Sequence, residues 1–172
     1  METNTKITTL VQLLNHELVT LLGIEQKLME FLPVWIDKTH NLMLKNSLRD
    51  YLYRVTHHAD NLKNYLSSEI EEDFNKNEFF LSYYLSEVNW RLENCSSEIL
   101  DAYLLSSIQT VNHIKISNYG TVATWSQLLE LNDISLKLHD ASINEKHIDE
   151  KLSLLAQRDI NIKAKIPLAL MQ

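Results

Sequence analysis

Apolar residues recur along this chain at steps of three and four, the spacing that lines one face of an α-helix. Nowhere do they alternate with polar residues for long enough to suggest a strand. Leu14, Leu18, Leu21, Leu28, Leu32 and Trp35 define a first helix from about Thr8 into the thirties, which Pro33 should kink or end. Leu44, Leu48, Tyr51, Val55, Leu62 and Tyr65 define a second, from about Leu42 to Ser67. A third runs from about Ser96 to Leu131 on Leu104, Ile108, Val111, Val122, Trp125 and Leu129. The fourth follows at once. "LND" offers a stop and a new N-cap at Asn132 or Asp133, and Ile134, Leu138, Ala141, Ile148, Leu152 and Leu155 form its stripe.

Short connections make the first and second helices, and the third and fourth, antiparallel hairpins. The stretch between the hairpins holds a short extra helix around Glu78 to Leu92. The fold class is therefore all-α, a ferritin-like four-helix bundle of two antiparallel hairpins with a long central crossover. Residues 1–157 form the domain. Residues 158–172 form a C-terminal tail that Pro167 interrupts, read as frayed; the alternative docks Ile166, Leu168, Leu170 and Met171 on a partner subunit.

Composition agrees with helices and adds limits. A chain of 172 residues with 45% hydrophobic residues supports one full core, and two glycines and two prolines leave little material for the turns of a sandwich or barrel. The single Cys95 cannot close an intramolecular disulfide and fits a reducing compartment. With neither a secretory leader nor a segment of about 20 apolar residues, the expected location is cytoplasmic, with no membrane partner. A formal charge of -7 argues against nucleic acid and anionic lipid.

The helical seams carry polar residues where apolar ones are expected. The first reads Leu14, Leu18, Leu21, Glu25, Leu28, Leu32, and the second Leu48, Tyr51, Val55, His58, Leu62. The third reads Leu104, Ile108, Val111, Lys115, Asn118, Val122, and the fourth Leu138, Ala141, Glu145, Ile148, Leu152. Glu25, His58, Lys115 and Glu145 each fall near the middle of a helix, so they predict one polar layer across the bundle. In "RVTHHADNL" the adjacent His57 points roughly 150° away from its helix's apolar stripe and is expected in solvent. His113 and His147 are expected at the surface too. Trp35, Trp90, Trp125 and the tyrosines of "LSYYL" are read as packing residues. There is no Gly-rich phosphate loop and no nucleophile triad.

Central carboxylates and histidines in a four-helix bundle are the donor set of di-metal carboxylate proteins, because two divalent cations in a low-dielectric core need several carboxylates to coordinate and neutralise them. Here only two seam positions are acidic. Four stretches, "HELVTLLGIEQKLMEFLP", "LYRVTHHADNL", "VNHIKISNYGTVATW" and "NEKHIDEKLSLLA", resemble in order and spacing the motifs of the YciE/YciF-like family of ferritin-like bacterial stress proteins. The resemblance extends from His16 to Ala156. It implies a compact bundle, often dimeric, with a di-iron-type site.

Carried over residue by residue, the resemblance leaves that site depleted. Glu25 and Glu145 match family glutamates, and His58 falls where the family often has His or Gln. Arg54, Asn112, Lys115 and Asn144 stand where it has glutamate. The expected former-site layer is thus Glu25, Arg54, His58, Asn112, Lys115, Asn144 and Glu145, with Lys115 and Arg54 pairing with the two carboxylates in place of metal. The resulting expectation is a non-enzymatic bundle without cofactor that acts by association, as a homodimer or with a related bundle protein. The alternative is an iron, manganese or zinc protein with a redox or storage role, using Glu25, His58 and Glu145 as ligands.

Overall fold

The computed structural model describes residues 6–69 and 80–170, with side chains at 6–68 and 81–165. Five α-helices follow in order: α1 (Leu10–Lys38), α2 (Leu42–Glu69), α3 (Phe80–Asn94), α4 (Ser97–Leu128) and α5 (Asn132–Leu155). A π-helical turn (Ala156–Ile160) and a last helix α6 (Asn161–Leu170) complete the chain as described. α1 packs on α2 and α4 on α5, and the two hairpins meet through α1 with α4 and α2 with α5. The short α3 lies in the crossover and covers part of α1 and α4. The fold class is the expected one, an all-α bundle of two hairpins with a helix in the long connection.

α1 starts at a capping box. The Thr9 hydroxyl accepts from the Gln12 backbone N–H at 3.2 Å, and the Gln12 side chain accepts from the Thr9 N–H at 3.3 Å. Of the kink or end expected at Pro33, the end does not occur; the helix continues to Lys38. Pro33 is exposed, so the Met29 carbonyl that loses its partner lies on the wet side, while Leu32, Trp35 and Ile36 remain in the core beyond it. α2 is capped by Asn41, whose Oδ1 accepts from the backbone N–H groups of Met43 and Leu44, both at 3.0 Å.

The break between α4 and α5 also differs from expectation. Neither Asn132 nor Asp133 caps α5; Leu131 occupies the cap position and contributes no side-chain bond. The chain turns through Glu130, at φ 59°, with the Glu130 N–H donating to the Gln127 carbonyl at 3.0 Å and the Leu131 N–H to the Ser126 carbonyl at 2.9 Å. That is a Schellman ending with glutamate where glycine is usual, so α4 is closed by its own carbonyls and α5 starts without a side-chain cap.

Residues 158–170 are helical rather than frayed, and α6 runs through Pro167. Buried Ala156 and Ile160 hold the π turn on the core, and α6 packs against α4. Asp159, in that turn, accepts from the Asn41 side-chain amide and pairs with Lys163 at 2.7 Å. Asp101 of α4 receives the backbone N–H groups of His40 and Asn41 at 3.1 and 2.7 Å, so the α1–α2 corner is held from two sides. The alternative in which the tail's apolar side chains meet a partner concerns residues beyond 165, outside the described side chains.

Tryptophan behaves unevenly. Trp35 is fully buried and Trp125 half-buried, but Trp90 is 61% exposed and Tyr83 of "LSYYL" 79%. Both project from the side of α3 that neither α1 nor α4 covers, so the packing role expected of them is not the one they have.

Candidate functional site

Mid-helix positions on the four long helices meet at one depth of the core. Glu25 on α1, His58 on α2, Lys115 on α4 and Glu145 on α5 are all buried, three of them completely. The Lys115 ammonium bridges the carboxylates, 2.9 Å from Glu25 Oε2 and 2.8 Å from Glu145 Oε1. It also donates to the Tyr51 hydroxyl at 3.3 Å and lies 4.7 Å from the centre of that ring. His58 Nδ1 is 3.2 Å from Glu145 Oε1 and 3.5 Å from Glu25 Oε1.

Two further side chains of α4 complete the layer. Asn112 donates to Glu145 Oε2 at 2.6 Å and to its backbone carbonyl at 3.2 Å. Tyr119 donates to Glu25 Oε1 at 2.6 Å, and its ring meets His58 edge-on with centroids 5.4 Å apart. The seam reading places Asn118 here, yet Asn118 is only half-buried and Tyr119 takes the inward position. From Lys115 the next inward residue lies three or four places on, and the four-step choice finds the tyrosine. Tyr51 was visible as a seam residue, but its hydroxyl's role was not.

Arg54 does not enter this network. Half-buried at the rim, it donates to Asn144 Oδ1 at 2.6 Å and leaves both carboxylates to Lys115 and His58. Asn144 is likewise half-buried, facing Arg54 and not the layer. A guanidinium can hold a neutral amide at the water's edge at far less desolvation cost than a charge in the core. His57, His113 and His147 are exposed, His113 lying 3.2 Å from Asp149 on the surface.

Burial and charge compete at each titratable group. Burial lowers the His58 pKa, but the Glu145 and Glu25 carboxylates beside its Nδ1 outweigh it, so His58 stays protonated to higher pH than an ordinary histidine. Burial raises the Glu145 carboxyl, and the Lys115 charge with the His58 contact pulls it below the usual range. Burial opposes the charged form of Lys115, but the two carboxylates prevail and hold it protonated far above its ordinary value. Tyr119 is pushed well up by burial and by Glu25 beside it. Two carboxylates against one ammonium leave one negative charge, which a protonated His58 cancels. His58 also lines a cavity the size of one water molecule, about 10 Å³, with Asn61, Lys137 and Tyr119 on its walls.

Glu25, His58 and Glu145 each offer a ligand atom, all within 4.8 Å of one another, and are the one such group among the described residues. Glu25 Oε2, Glu145 Oε1 and both His58 ring nitrogens form no well-aligned hydrogen bond, although ion-pair distances to Lys115 and His58 are short. The donor chemistry would suit a single transition-metal ion, but the ammonium lies at contact distance from both carboxylates. As arranged, the residues do not fit a dinuclear centre.

Fold and site together define a helical-bundle protein with a charged layer at the core of two packed hairpins. Residues 9–165 match the family described as a domain of unknown function, DUF892, and the chain belongs to that family. The protein YciF of Escherichia coli strain K12 is 34% identical over 82 residues, covering 47% of this chain and about half, 49%, of that protein. Among solved structures, YcfI from Rhodopseudomonas palustris superposes with a TM-score of 0.79 at 24% identity, over 87% of this chain and 96% of that one. The Escherichia coli stress protein YciF gives 0.78 at 24% identity, over 90% and 99%. Among the described residues no helix is long and apolar enough to cross a membrane.

Proposed function

We infer that this chain is a bundle protein without a metal centre, in which Lys115 supplies the positive charge that a cation would bring, and that it acts by association rather than catalysis. The observation that carries the reading is the Lys115 ammonium held between Glu25 and Glu145 at 2.9 and 2.8 Å. A buried ammonium at that place repels an incoming cation and satisfies the carboxylates that would bind it. The partner is a second copy or a related bundle protein, in the cytoplasm. A role in stress is proposed because the similar Escherichia coli protein is described as a stress protein.

The test is metal analysis of protein purified without chelator and then incubated with Fe(II), Mn(II) and Zn(II), with Lys115→Glu beside it. The native chain is expected to retain no stoichiometric metal, and the variant to take up metal or gain thermal stability on its addition. Metal bound at one ion per native chain would overturn the reading. It would favour the second one, a metal protein using Glu25, His58 and Glu145, which the short mutual reach of those three groups supports.

A further inference from the structure

On the outer face of the second hairpin, α4 and α5 border an open groove of about 690 Å³. Its floor is small: Gly120 and Ala123 from α4, Ser142 from α5. Its rim carries His139 and Lys146, and Ser135 ties the two helices together by donating to the Ala123 carbonyl at 3.2 Å. Ser135, His139, Ser142 and Lys146 succeed one another at steps of three and four, so they form one stripe along α5. Lys146 follows Glu145 in sequence but points about 100° further round the helix, into this groove and not into the core.

No carboxylate lines the groove, in a chain where Asp and Glu outnumber Lys and Arg by 23 to 16. Neither Lys146 nor His139 is ion-paired among the described residues. Ser142 is only 4% exposed, yet its hydroxyl has no hydrogen-bond partner among the described residues. That hydroxyl faces the open side of Gly120, where an added Cβ would meet Ser142 Oγ at 3.9 Å and nothing closer. A hydroxyl that reaches an open cleft without a protein partner, flanked by an unpaired ammonium, is placed to donate to an acceptor supplied from outside. The volume lies within the range of small-molecule sites.

We propose that this groove binds a small organic oxyanion, its charged end held by Lys146 and His139 and one of its oxygens accepting from the Ser142 hydroxyl. The recognised chemistry is shared by carboxylates and phosphate esters. The site is separate from the central layer, so its failure would leave the metal-free reading untouched.

The test titrates the full-length, ¹⁵N-labelled protein with inorganic phosphate and, separately, with succinate, at ionic strength held constant with chloride. Saturable shifts are expected at the amides of Gly120, Ser142 and Lys146. Saturation with phosphate alone assigns a phosphoryl ligand, and with succinate alone a carboxylate. Lys146→Ala should weaken binding about ten-fold or more through loss of the charge-assisted contact, whereas Lys63→Ala, an exposed lysine elsewhere, should change nothing. Gly120→Leu fills the floor and should abolish binding. Gly120→Ala, which fits at ordinary contact distance, should leave affinity within about two-fold and keeps the comparison usable if the leucine variant does not fold. Shifts that fail to saturate with either anion, or a Lys146→Ala protein that binds as tightly as native, would overturn the proposal.

Discussion

Lys115 and Arg54 are both cations close to the polar layer, Arg54 one helical turn before His58 on α2, and they have opposite fates. Lys115 is wholly buried and bound to two carboxylates; Arg54 sits at the rim and holds the neutral Asn144. Residue charge does not separate them, but access to water does. In the core an ammonium must be matched, and the match then fixes how α1, α4 and α5 are registered. At the rim a guanidinium keeps much of its hydration and one hydrogen bond suffices.

The largest test of this contrast removes the inner charge. Lys115→Met keeps length and loses the ammonium, leaving His58 as the one cationic group beside Glu25 and Glu145; about 3–5 kcal/mol of stability should be lost by urea denaturation. Adding Glu25→Gln and Glu145→Gln should recover much of it, since a neutral layer carries no unmatched charge. If the triple variant is no more stable than the single one, charge matching is not what holds the layer together.

A smaller effect is expected from Tyr119→Phe, which strips Glu25 Oε1 of a 2.6 Å donor and should lower stability by about 1.5–3 kcal/mol. Equal denaturation midpoints for the two proteins would remove Tyr119 from the network. The pH profile then separates the individual groups. His58 binds its proton more tightly folded than unfolded, so its contribution is complete below the unfolded value near 6.5 and is lost as pH rises through the raised folded value. Glu145 works the other way: its contribution is present above 4.5 and lost as pH falls through the depressed folded value. Stability measured from pH 3 to 9 should therefore peak between these limits, and His58→Gln should flatten the alkaline side while also reducing the acid side, because His58 helps to depress Glu145. Least of all, Arg54→Ala should shift stability by no more than about 0.5 kcal/mol, as a rim contact does; a loss like that of Lys115→Met would erase the distinction between rim and core.

Much of the layer could be read from the periodicity. Glu25, His58, Lys115 and Glu145 interrupt apolar stripes at matched depth, and a stripe fixes which way a side chain points. Tyr119 was hidden because steps of three and four from Lys115 are equally regular, and only packing chooses between Asn118 and Tyr119. Arg54 was misplaced for a related reason: a long side chain near a seam can turn inward or outward, and the solvent boundary is not in the sequence. The helical end beyond residue 157 was obscured by Pro167 and by a π turn, which shifts the register that periodicity counts. Of the two outcomes expected at Pro33, a kink or an end, the end did not occur, because the cost of a proline depends on which side of the helix it faces, and here that side is wet.

The π turn also sets an order of events during synthesis. Asp159 reaches back 118 residues to the Asn41 amide, the same side chain that caps α2. A ribosome delivers Asn41 118 residues before Asp159, so this fastening at the corner of the first hairpin cannot form until the second hairpin has been made. Most helical bundles close through near neighbours in the chain and assemble quickly; this one ties the corner of its first hairpin to the turn that follows its second.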